Sequence, residues 1–193
     1  MGINKEKVHV KKASISITGR PGVGKSTLAL SIANKLKEYG CKVGGFITPE
    51  IREGKFRVGF LVEDFYSGKQ VVLASRNYFG KIKIGSYYLN EEALDFILNV
   101  LDNSIRNSDV IIIDEIGPME LKVKGFEEHM KPILEGDKPF IATFYFKLKW
   151  IRPDLYNLLN KGEIIELTVD NRYEYINKID QYAKMIRNGA ICA

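Results

Sequence analysis

A glycine-rich segment between an apolar run and an amphipathic run constrains the fold of this chain most strongly. Residues 13–18 have the composition of a short strand, and apolar residues recur at helical spacing from Leu28 to Leu36, before Gly40. The segment between them fits G-x-x-x-x-G-K followed by Ser or Thr at every position: Gly19, Arg20, Pro21, Gly22, Val23, Gly24, Lys25 and Ser26. A strand, a phosphate-binding loop and a helix in this order predict the start of a parallel α/β sheet.

The residue types of this loop indicate how it binds phosphate. Its glycines let the backbone approach a phosphate closely and turn successive N–H groups inward, and the helix N-terminus adds partial positive charge. We therefore expect residues 19–27 to bind the phosphates of a nucleotide, with Thr27 over the α-phosphate. Lys25 is predicted to reach the β- and γ-phosphates and to take part in catalysis. The Ser26 hydroxyl is predicted to ligate Mg²⁺.

A second pattern is an apolar β-branched run, residues 110–113, that ends in Asp114 and Glu115. Such a run is typical of a strand that is buried on both faces. Asp114 is predicted to hold Mg²⁺ together with Ser26, because ligands bind at the carboxyl ends of parallel strands. Glu115 is predicted to be the catalytic base that orients the attacking water; the alternative is a carboxylate without a catalytic role. Both carboxylates belong to the predicted nucleotide site.

The remaining elements alternate between strands and helices, which favours one doubly wound α/β domain. Further strands and helices are predicted at residues 42–48, 56–62, 70–74, 81–89, 90–105, 126–135, 140–144, 164–169 and 172–186, with a short helix after Pro153. We expect a mostly parallel sheet with helices on both faces and added antiparallel strands in the second quarter, on its edge or face. Residues 13–193 are predicted to form a single domain after a polar N-terminal extension, residues 1–12. Thr143 ends a strand that should open over the same crevice as Asp114.

Composition limits the compartment and the partners of the chain. No apolar run approaches the roughly 20 residues that span a bilayer, so we expect no membrane partner. The net charge of +5 suits a polyanionic ligand such as a nucleotide or a nucleic acid. Cys41 and Cys192 lack a C-x-x-C partner, so we expect two free thiols in a reducing cytoplasm. The sequence leaves the oligomeric state open, and we expect a monomer.

Several segments beyond the loop resemble the THEP1-type nucleoside-triphosphatases. The resemblance is carried by Gly44-Gly-Phe-Ile-Thr-Pro-Glu50, Arg57-Val-Gly-Phe60, Asp114-Glu-Ile-Gly-Pro-Met-Glu120 and Pro139-Phe-Ile-Ala-Thr143. It implies a RecA-like P-loop core and magnesium-dependent hydrolysis of ATP, GTP and other nucleoside triphosphates to the diphosphate and phosphate. By position, the loop then binds phosphate, and Asp114 and Glu115 serve metal and water. Ser26 stands where the family often has Thr, and both carry the required hydroxyl.

Three other functions remain as alternatives. A regulatory GTPase is suggested by the N-K-x-D match at residues 177–180, but its neighbours predict an amphipathic helix, whereas a guanine-reading Asp follows a buried strand. A P-loop kinase would transfer the γ-phosphate to a small acceptor under a lid, to which Arg152 could belong. A nucleotide-gated module could bind RNA or a protein through Lys147, Lys149, Trp150 and Arg152.

Overall fold

The computed structural model describes residues 12–192, and the strands of this part of the chain form one ten-stranded sheet. The strands are β1 (Ile15–Thr18), β2 (Val43–Ile47), β3 (Glu50–Glu53), β4 (Phe56–Asp64), β5 (Gln70–Ser75), β6 (Lys83–Ile84), β7 (Tyr87–Leu89), β8 (Val110–Ile116), β9 (Phe140–Phe144) and β10 (Glu163–Glu166). Five of them are parallel to one another, in the spatial order β10-β1-β9-β8-β2. These five strands form the parallel half of the sheet.

The other five strands, β3–β7, form an antiparallel wing that continues the sheet past β2. The order is β2-β4-β5-β7-β6, and β3 pairs with β4. The sequence left the edge and the face of the sheet open for these strands, and the structure places them at the edge. β4 pairs with β2 through Glu63 and Asp64, and with β3 through residues 56–60. The wing therefore extends beyond the carboxyl end of β2.

Helices cover both faces of the parallel half, as the sequence predicted. They are α1 (Lys25–Glu38), α2 (Glu91–Asn107), α3 (Phe126–Glu135), α4 (Leu148–Ile151), α5 (Pro153–Leu159), α6 (Arg172–Ile176) and α7 (Ile179–Gly189). Successive residues of β8 face opposite cores: Ile111 and Ile113 belong to the core with α2 and α3, and Val110 and Ile112 to the core with α1 and α7. This two-sided burial explains the continuous apolar run. The prediction of a doubly wound α/β fold is confirmed.

Close approach of β2 to β8 and to the C-terminal end of α2 explains the paired glycines of β2. Gly45 has a φ of +101°, and a Cβ atom there would lie 1.8 Å from the carbonyl oxygen of Ile112. A Cβ atom on Gly44 would lie 2.0 Å from the Ser108 hydroxyl oxygen. A side chain at Gly45 would therefore push β2 away from β8, and one at Gly44 would meet the end of α2. β2 leads directly into Thr48, which belongs to the candidate site.

The prediction of two free thiols is wrong, because Cys41 and Cys192 form a disulfide. The two residues are 151 positions apart, and their Cα atoms lie 4.8 Å from each other. α7 packs against α1, which brings the segment after α7 beside the residue that follows α1. Sequence spacing carries no signal for this pairing, because it depends on how two distant helices pack.

Several element boundaries also differ from the prediction. The helix expected over residues 172–186 is two helices, α6 and α7, and the strand expected over residues 81–89 is the hairpin β6–β7. β3 was missed because it is short and largely exposed. Of the predicted N-terminal extension, only Lys12 is among the described residues. None of the helices within residues 12–192 is long and apolar enough to cross a membrane.

Candidate functional site

The glycine-rich loop connects the end of β1 to the start of α1, where the sequence placed it. Gly19 has a φ of +145°, and a Cβ atom there would lie 2.2 Å from the carbonyl oxygen of Leu167. Only glycine fits this position without displacing the segment after β10. Lys25 begins α1, and its side chain is almost fully buried at 9% exposure. The loop therefore holds the Lys25 ammonium group at the carboxyl ends of the parallel strands.

The Asp114 carboxylate lies beside the loop and accepts hydrogen bonds from three segments of the chain. Oδ1 accepts from the Ser26 hydroxyl at 2.8 Å and from the Thr143 hydroxyl at 2.6 Å. Oδ2 accepts from the backbone N–H of Thr48 at 3.5 Å. Thr143 lies over the same crevice, as predicted, but its hydroxyl contacts the Asp114 carboxylate. Asp114 is thus fixed by groups from β9, the start of α1 and the end of β2.

Ser26 and Asp114 together have the chemistry of a partial magnesium site. Mg²⁺ prefers oxygen ligands and is commonly held by one or two protein oxygens together with substrate phosphates. Within residues 12–192, no group of three or more His, Cys, Asp or Glu residues could hold a metal ion on its own. A hydroxyl and a carboxylate that meet next to a phosphate-binding loop fit an ion that arrives with the nucleotide.

Glu115 follows Asp114 through a cis peptide bond and faces the loop lysine. Its Oε1 lies 4.0 Å from the Lys25 Nζ, and its side chain is 35% exposed. Burial raises the pKa of the Glu115 carboxyl, Asp114 raises it further, and the charges of Lys25 and Arg57 oppose the rise. The structure therefore brings both predicted catalytic residues together in one crevice, with a proton acceptor whose basicity exceeds that of a free carboxylate.

A family model described as NTPase matches residues 14–180, which include the loop and both carboxylates. This chain belongs to that NTPase family. The predicted family resemblance is confirmed.

Individual relatives and solved structures of the NTPase family agree with this assignment. The nucleoside-triphosphatase THEP1 of Methanocaldococcus jannaschii is 44% identical over 170 residues, which cover 86% of this chain and 96% of that protein. The crystal structure of THEP1 from the hyperthermophile Aquifex aeolicus superposes with a TM-score of 0.73 at 32% identity, covering 86% of this chain and 96% of that one. The solution structure of a human cancer-related nucleoside triphosphatase gives a TM-score of 0.69 at 26% identity, covering 91% and 97%.

Glu120 is a third carboxylate at this crevice, and sequence reasoning assigned it no role. It opens a 3₁₀ turn after β8, and it is buried at 5% exposure. Burial and the nearby Glu115 charge raise the pKa of Glu120 to about 8. A Cβ atom on Gly117 would lie 3.2 Å from Glu120 Oε2 and 3.7 Å from Glu115 Cδ, so both carboxyls flank this glycine. The position of Glu120 in the Asp-Glu-Ile-Gly-Pro-Met-Glu run was the available signal.

A cavity of about 520 Å³ opens on the other side of the loop. Its walls include Gly22, Gly24 and Thr27 from the loop and α1, and Arg172 and Tyr173 from α6. A smaller cavity of about 300 Å³ borders Lys42, Asp64 and Ser108, away from the loop. The larger cavity includes Thr27, the residue predicted to lie over the α-phosphate, and no sequence pattern indicated this cavity.

The structure also places the residues behind two of the alternatives. Asp180 of the N-K-x-D match lies on α7, where it accepts hydrogen bonds from the Tyr39 hydroxyl and from Lys184 Nζ at 2.7 Å. These contacts hold it against α1 and do not direct it at the cavity. Arg152, the candidate lid residue, is paired with Glu127 and Asp154, with one Nη2 distance of 2.7 Å to each carboxylate.

Proposed function

We propose that this chain hydrolyses nucleoside triphosphates to the diphosphate and phosphate in a magnesium-dependent reaction. The proposal depends on one observation: Ser26 and Asp114 meet at 2.8 Å beside a complete phosphate-binding loop, with Glu115 at 4.0 Å from Lys25. The relatives that carry the name nucleoside-triphosphatase support the same reaction.

The proposed roles follow from the position of each group. The loop amides of residues 19–27 and the Lys25 ammonium bind the triphosphate and offset its charge. Ser26 and Asp114 hold Mg²⁺, which neutralises charge on the phosphate oxygens when bound. Glu115 orients the attacking water and accepts its proton, and its raised pKa makes it a stronger base than an exposed carboxylate.

We further propose that the enzyme accepts several bases and acts as a monomer in the cytoplasm. Within residues 12–192, the side chains that line the large cavity include no carboxylate or carboxamide, the side-chain groups that commonly read base edges. The single ten-stranded sheet supports one domain over residues 13–193. Because Cys41 and Cys192 form a disulfide, free thiols no longer support a cytoplasmic location. Cell fractionation tests the location directly.

Phosphate release by the purified protein tests hydrolysis directly. Wild type with MgATP should release phosphate at a rate that small hydroxyl acceptors do not change, and EDTA should abolish release. Lys25→Ala should lower both triphosphate affinity and turnover, since it removes the ammonium group at the β- and γ-phosphates. Lys35→Ala, on the exposed side of the same helix, is the matched control and should behave as wild type.

The same assay separates hydrolysis from phosphoryl transfer. A kinase would release little phosphate alone and would form a phosphorylated product when an acceptor is supplied. The Arg152 ion pairs with Glu127 and Asp154 favour the hydrolase, because they occupy the lid arginine that a transferase would need. Turnover that appears only with an acceptor, or an unchanged Lys25→Ala variant, contradicts the proposal.

A further inference from the structure

We propose that the 520 Å³ cavity binds the nucleoside part of the substrate and that Tyr173 of α6 provides the face on which the base stacks. This inference rests on the proposed function in one respect, since the ligand it names is the nucleotide held by the loop. The position of the cavity next to the loop supports this proposal first. One wall of the cavity is formed by Gly22, Gly24 and Thr27, so a nucleotide with its phosphates in the loop would extend into this space. The volume lies within the usual range of small-molecule pockets.

The second support is that α6 buries none of its own side chains. Tyr173 is 63% exposed and Ile176 is 43% exposed, although both line the cavity. Covering these two side chains with a flat apolar ligand would remove apolar surface from water and so favour binding. A purine or pyrimidine ring has flat apolar faces that suit this surface.

The third support is the arrangement of Arg172 beside the tyrosine. Its guanidinium lies over the Tyr173 ring at 4.9 Å from the centroid, and its Nη2 donates to the Tyr173 hydroxyl at 3.2 Å. These contacts restrict the orientation of the ring before any ligand arrives. The Arg172 Nε–H is buried and has no hydrogen-bond partner among residues 12–192. Arg172 lines the cavity, so this unpaired donor, which carries a desolvation cost, belongs to a side chain at the proposed ligand site.

Binding and kinetics of Tyr173→Ala, measured with ATP, GTP, CTP and inorganic tripolyphosphate, test the inference. Loss of the stacking face should weaken ATP and GTP affinity, and raise their KM, by about tenfold, with kcat within about twofold of wild type. Tripolyphosphate, which lacks a nucleoside, should bind both proteins equally. Tyr173→Phe keeps the ring and should keep nucleotide affinity. Tyr66→Ala is the matched control, because Tyr66 is 66% exposed and lies at the smaller cavity.

The outcomes are separable from those of the proposed function. ATP affinity that is unchanged in Tyr173→Ala, or reduced equally in Tyr66→Ala, overturns the nucleoside site. A loss of tripolyphosphate affinity as large as the loss of ATP affinity also overturns it, because the substitution would then act on the phosphate loop. Calorimetry measures ATP binding without turnover. A wild-type protein that binds ATP but releases no phosphate would therefore refute hydrolysis, and the ATP affinities of the Tyr173 variants would still test the nucleoside site.

Discussion

Two carboxyls of the crevice, Glu115 and Glu120, and Glu50 of the antiparallel wing have opposite pKa shifts. In the crevice, burial raises the pKa of Glu115 and of Glu120. On the wing, burial also acts to raise the pKa of Glu50, but hydrogen bonds from Arg57 and Arg52 lower it overall. The charge of Glu50 is thus neutralised within the wing by Arg52 and Arg57, whereas the crevice keeps two carboxyls that a bound cation or a proton must satisfy.

This difference suggests where substitutions should matter. Groups at the ends of parallel strands converge on one crevice, so each change there should alter turnover or its pH dependence. Changes on the wing should be silent, except where a wing charge acts on the crevice. Arg57 is such a residue, because its charge lowers the pKa of Glu115.

The largest expected effect is that of Glu115→Gln on turnover. Glutamine keeps the shape but cannot accept the proton of the attacking water, so kcat should fall about 100-fold or more while ATP affinity is retained. Steady-state kinetics and calorimetric binding measure the two quantities. Glu53→Gln, at an exposed position of the wing, is the control. A kcat loss below about threefold would remove Glu115 as the base.

Glu120→Gln should change how stability depends on pH. The folded protein holds the Glu120 proton more tightly than the unfolded chain, with a pKa of about 8 against 4.5. Wild-type stability therefore falls as pH rises between these values, and the glutamine variant should escape this loss. As the pH rises from about 6.5 to 8, the variant should gain roughly 1 to 2 kcal/mol of stability relative to wild type. Urea unfolding across pH measures it, and a pH-independent difference between the two proteins contradicts the expected shift.

Thr143→Val should lower turnover about tenfold. Valine has the same shape but cannot donate the 2.6 Å hydrogen bond to Asp114, so the carboxylate is less well oriented toward Mg²⁺. The concentration of Mg²⁺ needed for half-maximal activity should rise in parallel. Thr143→Ser restores the hydroxyl and should restore most of the activity. Equal activity of the valine and serine variants would show that this hydrogen bond is unimportant.

The smallest expected effect tests the link between the wing and the crevice. Arg57→Ala removes a charge that lowers the pKa of Glu115, so that pKa should rise and the acid limb of the rate profile should move to higher pH. Turnover on the acid limb should fall about two- to threefold, with the alkaline plateau unchanged. Arg52→Ala breaks the other Glu50 pair and should leave the profile in place. Equal shifts in both variants would assign the effect to wing stability.

The sequence was most informative where the relevant residues are neighbours in the chain. The strand before Gly19, the loop and α1 follow one another directly, so spacing alone located the phosphate-binding segment. β8 was predicted from its continuous apolar run, because burial on both faces excludes polar residues. β9 and α3 were found with the observed bounds from periodicity. The helix predicted from residue 90 begins directly after Asn90, whose side chain caps it by accepting from the Glu92 N–H.

What the sequence determined by itself was therefore the family, the doubly wound fold and the order of the residues around the crevice. The tertiary structure decided the three donors to Asp114, the Cys41–Cys192 disulfide, the edge that carries the wing, and the cavity between the loop and α6. Each of these joins segments that are far apart in the chain. Local propensities do not encode such contacts, because they depend on which strands become neighbours and on how helices pack over the finished sheet.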